Sequence, residues 1–385
     1  MRDSPHPGST TSVSSMALIW HPPAGLLDGM GGQPLPPGVA TAMAAAAAQG
    51  WADPRRLHHA GRQAGALLDA ARSSIANNLS MAAGMAITTE EIYFTSGVAA
   101  AQAFALDGYP GPLALGSVET TALLDLGEVR PATQIVGVDA YGRIDAEAFH
   151  QAAATSAIAA LQVANTEVGT CQPIELVAAT NPELPILMDA SQAIGRIPLP
   201  QGWSMLTAGA RDWAGPAGVA ILVVRREVRW LPPINADRGW LGGFPDIAGA
   251  VGAATALEAL MNEQVTLAQQ AHADIELLRA GIVSGLTDVE VLGDPVWRLP
   301  HILNFSVLYV SGEALVTELD KRGFAVASGS ACVADHARPS HVLAAMGAYT
   351  GGNIRLSLPL GCTTETVESF LKVLPSAVAA VRADI

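Results

Sequence analysis

Seven short apolar runs, each set off from the next by a helical pattern or a turn, constrain this chain more than any other feature. They fall at residues 91–94, 113–115, 134–138, 157–163, 186–189, 205–207 and 219–224. Runs this short and this apolar read as strands covered on both faces, because a strand with one wet face would alternate apolar and polar residues. Strands alternating with helices require crossover connections, which lay the helices over a sheet. The expected class is therefore α/β: a large domain with a mostly parallel seven-stranded sheet between helices, plus a smaller α+β C-terminal domain.

Helical spacing predicts helices at 37–49, 59–79 and 247 to about 284. Beyond them the rhythm changes. A strand at 301–307, a helix at 312–322, a loop around Cys332, a strand at 353–357 and a helix from Thr364 make up the smaller domain. The expected division is a tail at 1–15, a segment at 16–36 packing with the small domain, a large domain at 37–275 and the small domain at 276–385. The first fifteen residues are polar and rich in Ser, Thr and Pro, with no apolar core of a signal peptide; they are expected to be a disordered tail or the product of an upstream start, with Met16 an alternative start.

Composition excludes several roles. A net charge of −14 argues against nucleic acid or an anionic membrane as the main partner. No apolar run reaches the length of a membrane span. Three cysteines, Cys171, Cys332 and Cys362, are too few and too scattered for a disulfide framework, which points to a reducing cytoplasm.

Five stretches in order carry a resemblance that spans nearly the whole chain from about Leu27. They are Phe94-Thr95-Ser96-Gly97; Asn165-Thr166-Glu167-Val168-Gly169 running on to Gln172-Pro173-Ile174; Met188-Asp189-Ala190-Ser191-Gln192; Ala327-Ser328-Gly329-Ser330-Ala331-Cys332 followed by Pro339-Ser340-His341; and Asn353-Ile354-Arg355-Leu356-Ser357. The sequence resembles the cysteine desulfurases of the class V aminotransferase group, which are fold-type I pyridoxal-phosphate enzymes. The resemblance implies a homodimer-type architecture with a large cofactor domain. It places Asp189 against the pyridine nitrogen of the cofactor, Gln192 at its ring hydroxyl and Arg355 on the substrate carboxylate, a task suited to a two-pronged guanidinium. It makes Cys332 the nucleophile that takes up sulfur, on a loop whose small residues suit an exposed thiolate. No metal site is implied. Asp189 as a cap of the segment after it, Cys332 as an inert thiol and Arg355 as a surface ion pair are the competing structural readings.

The chain departs from that family at one group above all. In Ala210-Arg211-Asp212-Trp213-Ala214-Gly215-Pro216, Asp212 stands where the family has the lysine that holds the cofactor as a Schiff base. Only two lysines exist in the chain, Lys321 and Lys372, and the Gly215-Pro216 anchor leaves no shift of register that brings either near. A Schiff base needs a primary amine, and the permanently protonated guanidinium of Arg211 supplies none. Thr120 replaces the histidine that stacks on the ring, and Thr166 an asparagine that assists Arg355. Around the phosphate, Ala99 replaces a threonine, Gly209 a serine, Arg211 a histidine and Phe244 a threonine that reaches across the dimer. Phe244 is expected to fill space there, and the pocket to be empty or repacked.

These departures together predict no bound cofactor. Three functions stay open: a non-catalytic subunit, regulator or scaffold in sulfur transfer, as a homodimer or a heterodimer with an active paralogue; a pyridoxal-phosphate-independent persulfide carrier acting through Cys332 towards a sulfur-acceptor protein; and an active desulfurase converting L-cysteine to L-alanine with an enzyme persulfide.

Overall fold

The structure, a computed structural model, describes residues 20–329 and 339–383. The expected N-terminal tail and Cys332 lie outside the described residues.

Residues 92–241 build a nine-stranded sheet. In chain order its strands are β1 Ile92–Thr95, β2 Leu113–Gly116, β3 Gln134–Val136, β4 Ile158–Gln162, β5 Ile186–Asp189, β6 Met205–Gly209, β7 Ala220–Val224, β8 Ala236–Asp237 and β9 Trp240–Leu241. Their order across the sheet is β3-β2-β4-β5-β6-β7-β1-β9-β8. The run from β3 to β6 is parallel, and β7 lies antiparallel to both of its neighbours. Strands β4, β5, β6 and β7 are buried along their whole length, which is why they read as unbroken apolar runs. All seven expected strands form. The two extra ones, β8 and β9, are two-residue pieces at the sheet edge, too short to leave a pattern in sequence.

Register brings the C-terminal ends of three parallel strands together. Gln162 of β4 pairs across to Asp189 of β5, and Asp189 to Thr207 of β6. The helices covering the sheet include α1 Pro37–Gln49, α2 His59–Ala83, α3 Val98–Asp107, α4 Thr121–Glu128, α5 Ala146–Ala153 and α6 Ile174–Thr180. Helix α2 runs past its expected end at residue 79 to Ala83, where Gly84 closes it in the left-handed conformation that glycine adopts without a Cβ penalty.

Helix α7, Ile247–Gly285, serves two cores. Its first half packs on α1 and α2 through small residues. A Cβ on Gly252 would sit 2.5 Å from Met43 Cγ, so close approach of the helices requires glycine there. Its second half places Ile275, Leu278 and Ile282 in a separate core with Phe305, Leu315 and Phe370. The expected boundary at 275 thus falls inside a continuous helix. The second core is faced by an antiparallel sheet of β10 Val289–Leu292, β11 Ile302–Val307 and β12 Asn353–Ser357. Helices α8 Gly312–Lys321, α9 His341–Ala345 and α10 Thr364–Ala383 complete the C-terminal part. Leu27 is fully buried in this core, and its neighbours Leu26 and Asp28 bridge to Ala325 and Ser357.

Candidate functional site

In open parallel sheets, ligands sit beyond the carboxyl ends of the strands, and here those ends are polar. Asp189 closes β5 and is 8 % exposed. Its Oδ1 accepts from the Ser191 backbone N–H (3.0 Å) and Oγ–H (2.6 Å), and its Oδ2 accepts from Gln102 Nε2 (3.0 Å). Burial pushes its carboxyl up from the usual range, and the bonds from Ser191 and Gln102 oppose that shift. The Ser191 bonds also cap the turn after β5, which is the structural reading of Asp189.

Asp212 sits in a tight turn after β6, Ala210–Trp213, that ends on Ala214 at φ 58°. Gln192 Nε2 donates to its Oδ1 at 2.7 Å. Its Oδ2 lies over Gly209, where an added Cβ would come within 2.9 Å of that oxygen and 3.0 Å of Val98 at the start of α3. Glycine at 209 therefore makes room for the aspartate. Burial and then the nearby Asp189 carboxylate raise the Asp212 carboxyl to about 7, against the lesser pull of Arg211, Gln192 and Arg196.

Beneath the pair lies a layer that sequence reading did not single out. Gln192 Oε1 faces His301 Nε2 at 3.2 Å, and the buried His301 ring is held well below its usual pKa by burial and by Arg196. Arg196, 7 % exposed, is itself lowered to about 10 by burial. Glu119 accepts the Gln162 backbone N–H with both oxygens, and burial keeps it well above the normal carboxylate range. Among the described residues, Gln102 Oε1, Thr120 Oγ1, Thr207 Oγ1 and His301 Nδ1 are buried without a hydrogen-bond partner. A detectable signal existed for Gln102 and His301: each is a lone polar residue in an apolar stretch.

The remaining expected residues are placed as follows. Thr120 precedes α4 without capping it by its side chain. Ala99 is exposed in the first turn of α3, and Thr166 is half-buried. Arg211 is exposed beside Asp212. Phe244 is 56 % exposed in the single chain. Trp213 is a core residue, fully buried, with Nε1 donating to the Ala253 carbonyl at 3.0 Å. Arg355 belongs to a different neighbourhood. Its Nη2 pairs with Asp28 Oδ1 at 3.2 Å, and its charge reaches Glu167. Glu167 in turn accepts from Ser340 Oγ (2.5 Å), its backbone carbonyl accepts from Asn304 Nδ2 (3.1 Å), and Gly329 packs beside it.

These residues do not fit pyridoxal phosphate. Asp212, which the resemblance sets at the amine's position, offers a carboxyl, and Gln192 is bonded to that carboxyl. Lys321 is exposed and paired with Glu318 on α8, and Lys372 is exposed on α10.

A mostly parallel sheet with polar strand ends and a second small domain defines an aminotransferase-like α/β protein, and the chain belongs to the class-V aminotransferase family, whose sequence profile matches residues 26–370. Within it the relatives are cysteine desulfurases. The chain is 33 % identical over 358 residues to a cysteine desulfurase of Cereibacter sphaeroides, covering 86 % of this chain and 89 % of that one. It is 35 % identical over 259 residues to a cysteine desulfurase of Gluconacetobacter diazotrophicus, covering 64 % of this chain and 65 % of that protein's length. A solved NifS-like protein superposes with a TM-score of 0.82 at 25 % identity, over 93 % of this chain and all of the other.

Proposed function

We propose that this chain is a non-catalytic member of the cysteine desulfurase family, acting in sulfur transfer as a subunit, regulator or scaffold without pyridoxal phosphate. The observation that carries the reading is Asp212. It takes the amine's position and is tied to Gln192 at 2.7 Å, and a second carboxylate, Asp189, raises its carboxyl. An anionic aldehyde cofactor meets a carboxyl pair there instead of an amine.

A lysine-bearing relative is the partner that suits such a chain. The test is co-expression with an active desulfurase. Copurification at a fixed ratio, with the partner's turnover changed, supports the subunit reading. Turnover of L-cysteine by this chain alone would overturn it. Labelled sulfur accepted from the partner and lost in Cys332→Ser would move the assignment to the carrier function.

A further inference from the structure

Arg196 is a buried cation without a partner. It closes the run of turns after β5, where its backbone N–H donates to the Ala193 carbonyl at 2.9 Å. Its side chain makes neither a hydrogen bond nor an ion pair among the described residues, and its Nε is sealed from water. A charge taken out of water is normally paired, so an arginine left this way calls for an explanation. Burial lowers its pKa only to about 10, and the guanidinium stays protonated at neutral pH. The charge acting on it is that of Asp212, whose own carboxyl titrates at about 7 and is half-neutral there. His301 is held uncharged by burial and by Arg196 itself. The counter-charge to Arg196 within the protein is therefore incomplete.

Arg196 also lines a small cavity of about 20 Å³. The cavity lies where the two cores meet. Leu267, Gln270, Ala271 and Asp274 of α7 form one wall, and the loop 359–362 after β12 forms the other. Its volume admits a single particle about the size of a water molecule. Asp274 is the acid in its lining, and both of its oxygens are engaged: Oδ1 accepts from Thr364 Oγ1 at 2.8 Å and Oδ2 from Gln270 Nε2 at 3.1 Å. The charge of Asp274 acts on Cys362, which burial and then this acid push up to about 12, whereas the charge acting on Arg196 is that of Asp212. The acid thus sits towards the Cys362 end of the cavity, with a neutral thiol beside it.

We propose that this cavity binds one small monovalent anion of halide size, held on the Arg196 guanidinium between α7 and the loop 359–362. A water molecule there would accept an N–H bond and leave the charge uncompensated, whereas an anion does both. Room for one particle excludes carboxylates, phosphate and sulfate. The seat is built from the turn after β5, from α7 and from the loop after β12, so the bound anion bridges the large and small domains and stabilises the folded chain.

Thermal unfolding of the full chain at fixed ionic strength, with sodium gluconate replaced stepwise by sodium chloride or bromide, tests this. Both halides should raise the unfolding midpoint saturably, by about 2 °C at tenfold above half-saturation. Neither is a salt that strengthens apolar burial in general, so a rise points to a site. Arg196→Met should abolish the shift and leave the midpoint in gluconate unchanged or higher, since an apolar side chain of similar length replaces an unpaired charge. Ala271→Leu, which fills the cavity and keeps the guanidinium, should abolish it as well, so the result does not rest on one variant. Crystals grown in bromide should show an anomalous peak at the Arg196 guanidinium. A midpoint indifferent to halide, a halide shift that survives in Arg196→Met, or a cavity empty of bromide would overturn the proposal and leave a buried water in its place.

Discussion

Two half-buried carboxyl groups, Glu167 and Asp212, behave oppositely. At Glu167 the carboxyl is raised by burial but is answered: Ser340 donates to it, Asn304 donates to its backbone carbonyl, and the charges of His341 and Arg355 act on it. At Asp212 the carboxyl faces another acid, and buried groups around it lack partners. The first site joins the two cores and keeps a structural purpose whatever the chain catalyses. The second is a carboxyl pair in which burial and Asp189 raise Asp212.

The comparison breaks first at Glu167. Glu167→Ala strands Ser340 Oγ and opens the junction, so denaturant unfolding should show a loss of about 2–3 kcal/mol. A loss below about 0.5 kcal/mol would mean that the junction is not held there. Asp212→Asn should do the reverse. A carboxyl raised in the folded state binds its proton more tightly there than in the unfolded chain, so stability falls as pH rises through the window between its normal value and about 7. The amide keeps the bond geometry to Gln192 with no charge. It should stabilise by roughly 2 kcal/mol at about pH 8 and by almost nothing at about pH 4. Part of the pH slope should survive, since Asp189 and Glu119 are raised as well. Destabilisation at the higher pH would show instead that the ionised Asp212 is used. Ser340→Ala removes one donor to Glu167 and the cap of α9, worth about 1 kcal/mol by the same measurement. The double change Lys321→Arg, Lys372→Arg should be the smallest, within about 0.5 kcal/mol, and should leave any cofactor absorbance unaltered.

Much of the fold was legible because it rests on runs with one reading. Strands β4 to β7 are buried on both faces, and no helix pattern competes with them. The edge pieces β8 and β9 left no signal, and β10 alternates burial weakly at a sheet edge. At the site, Asp189, Gln192 and Asp212 were legible through motif order, and the structure brings these three together. Arg355 was legible as a residue but not as the partner of Asp28, which lies more than three hundred residues away in sequence. Arg196 was missed for the same reason, and His301 and Gln102, each a polar residue in an apolar stretch, show what they touch only in the fold. Their importance comes from which strand ends the sheet brings side by side, a long-range fact that local pattern does not hold. Among the described residues no helix is long and apolar enough to cross a membrane, in keeping with the apolar pattern of the sequence.

The most direct test is visible absorbance of the purified full chain, expressed with added pyridoxal phosphate, before and after borohydride. A colourless protein that retains no cofactor on gel filtration, with its partner-dependent role intact, is the result expected from a carboxyl at position 212. A yellow protein whose band borohydride bleaches, with alanine released from L-cysteine, would contradict it.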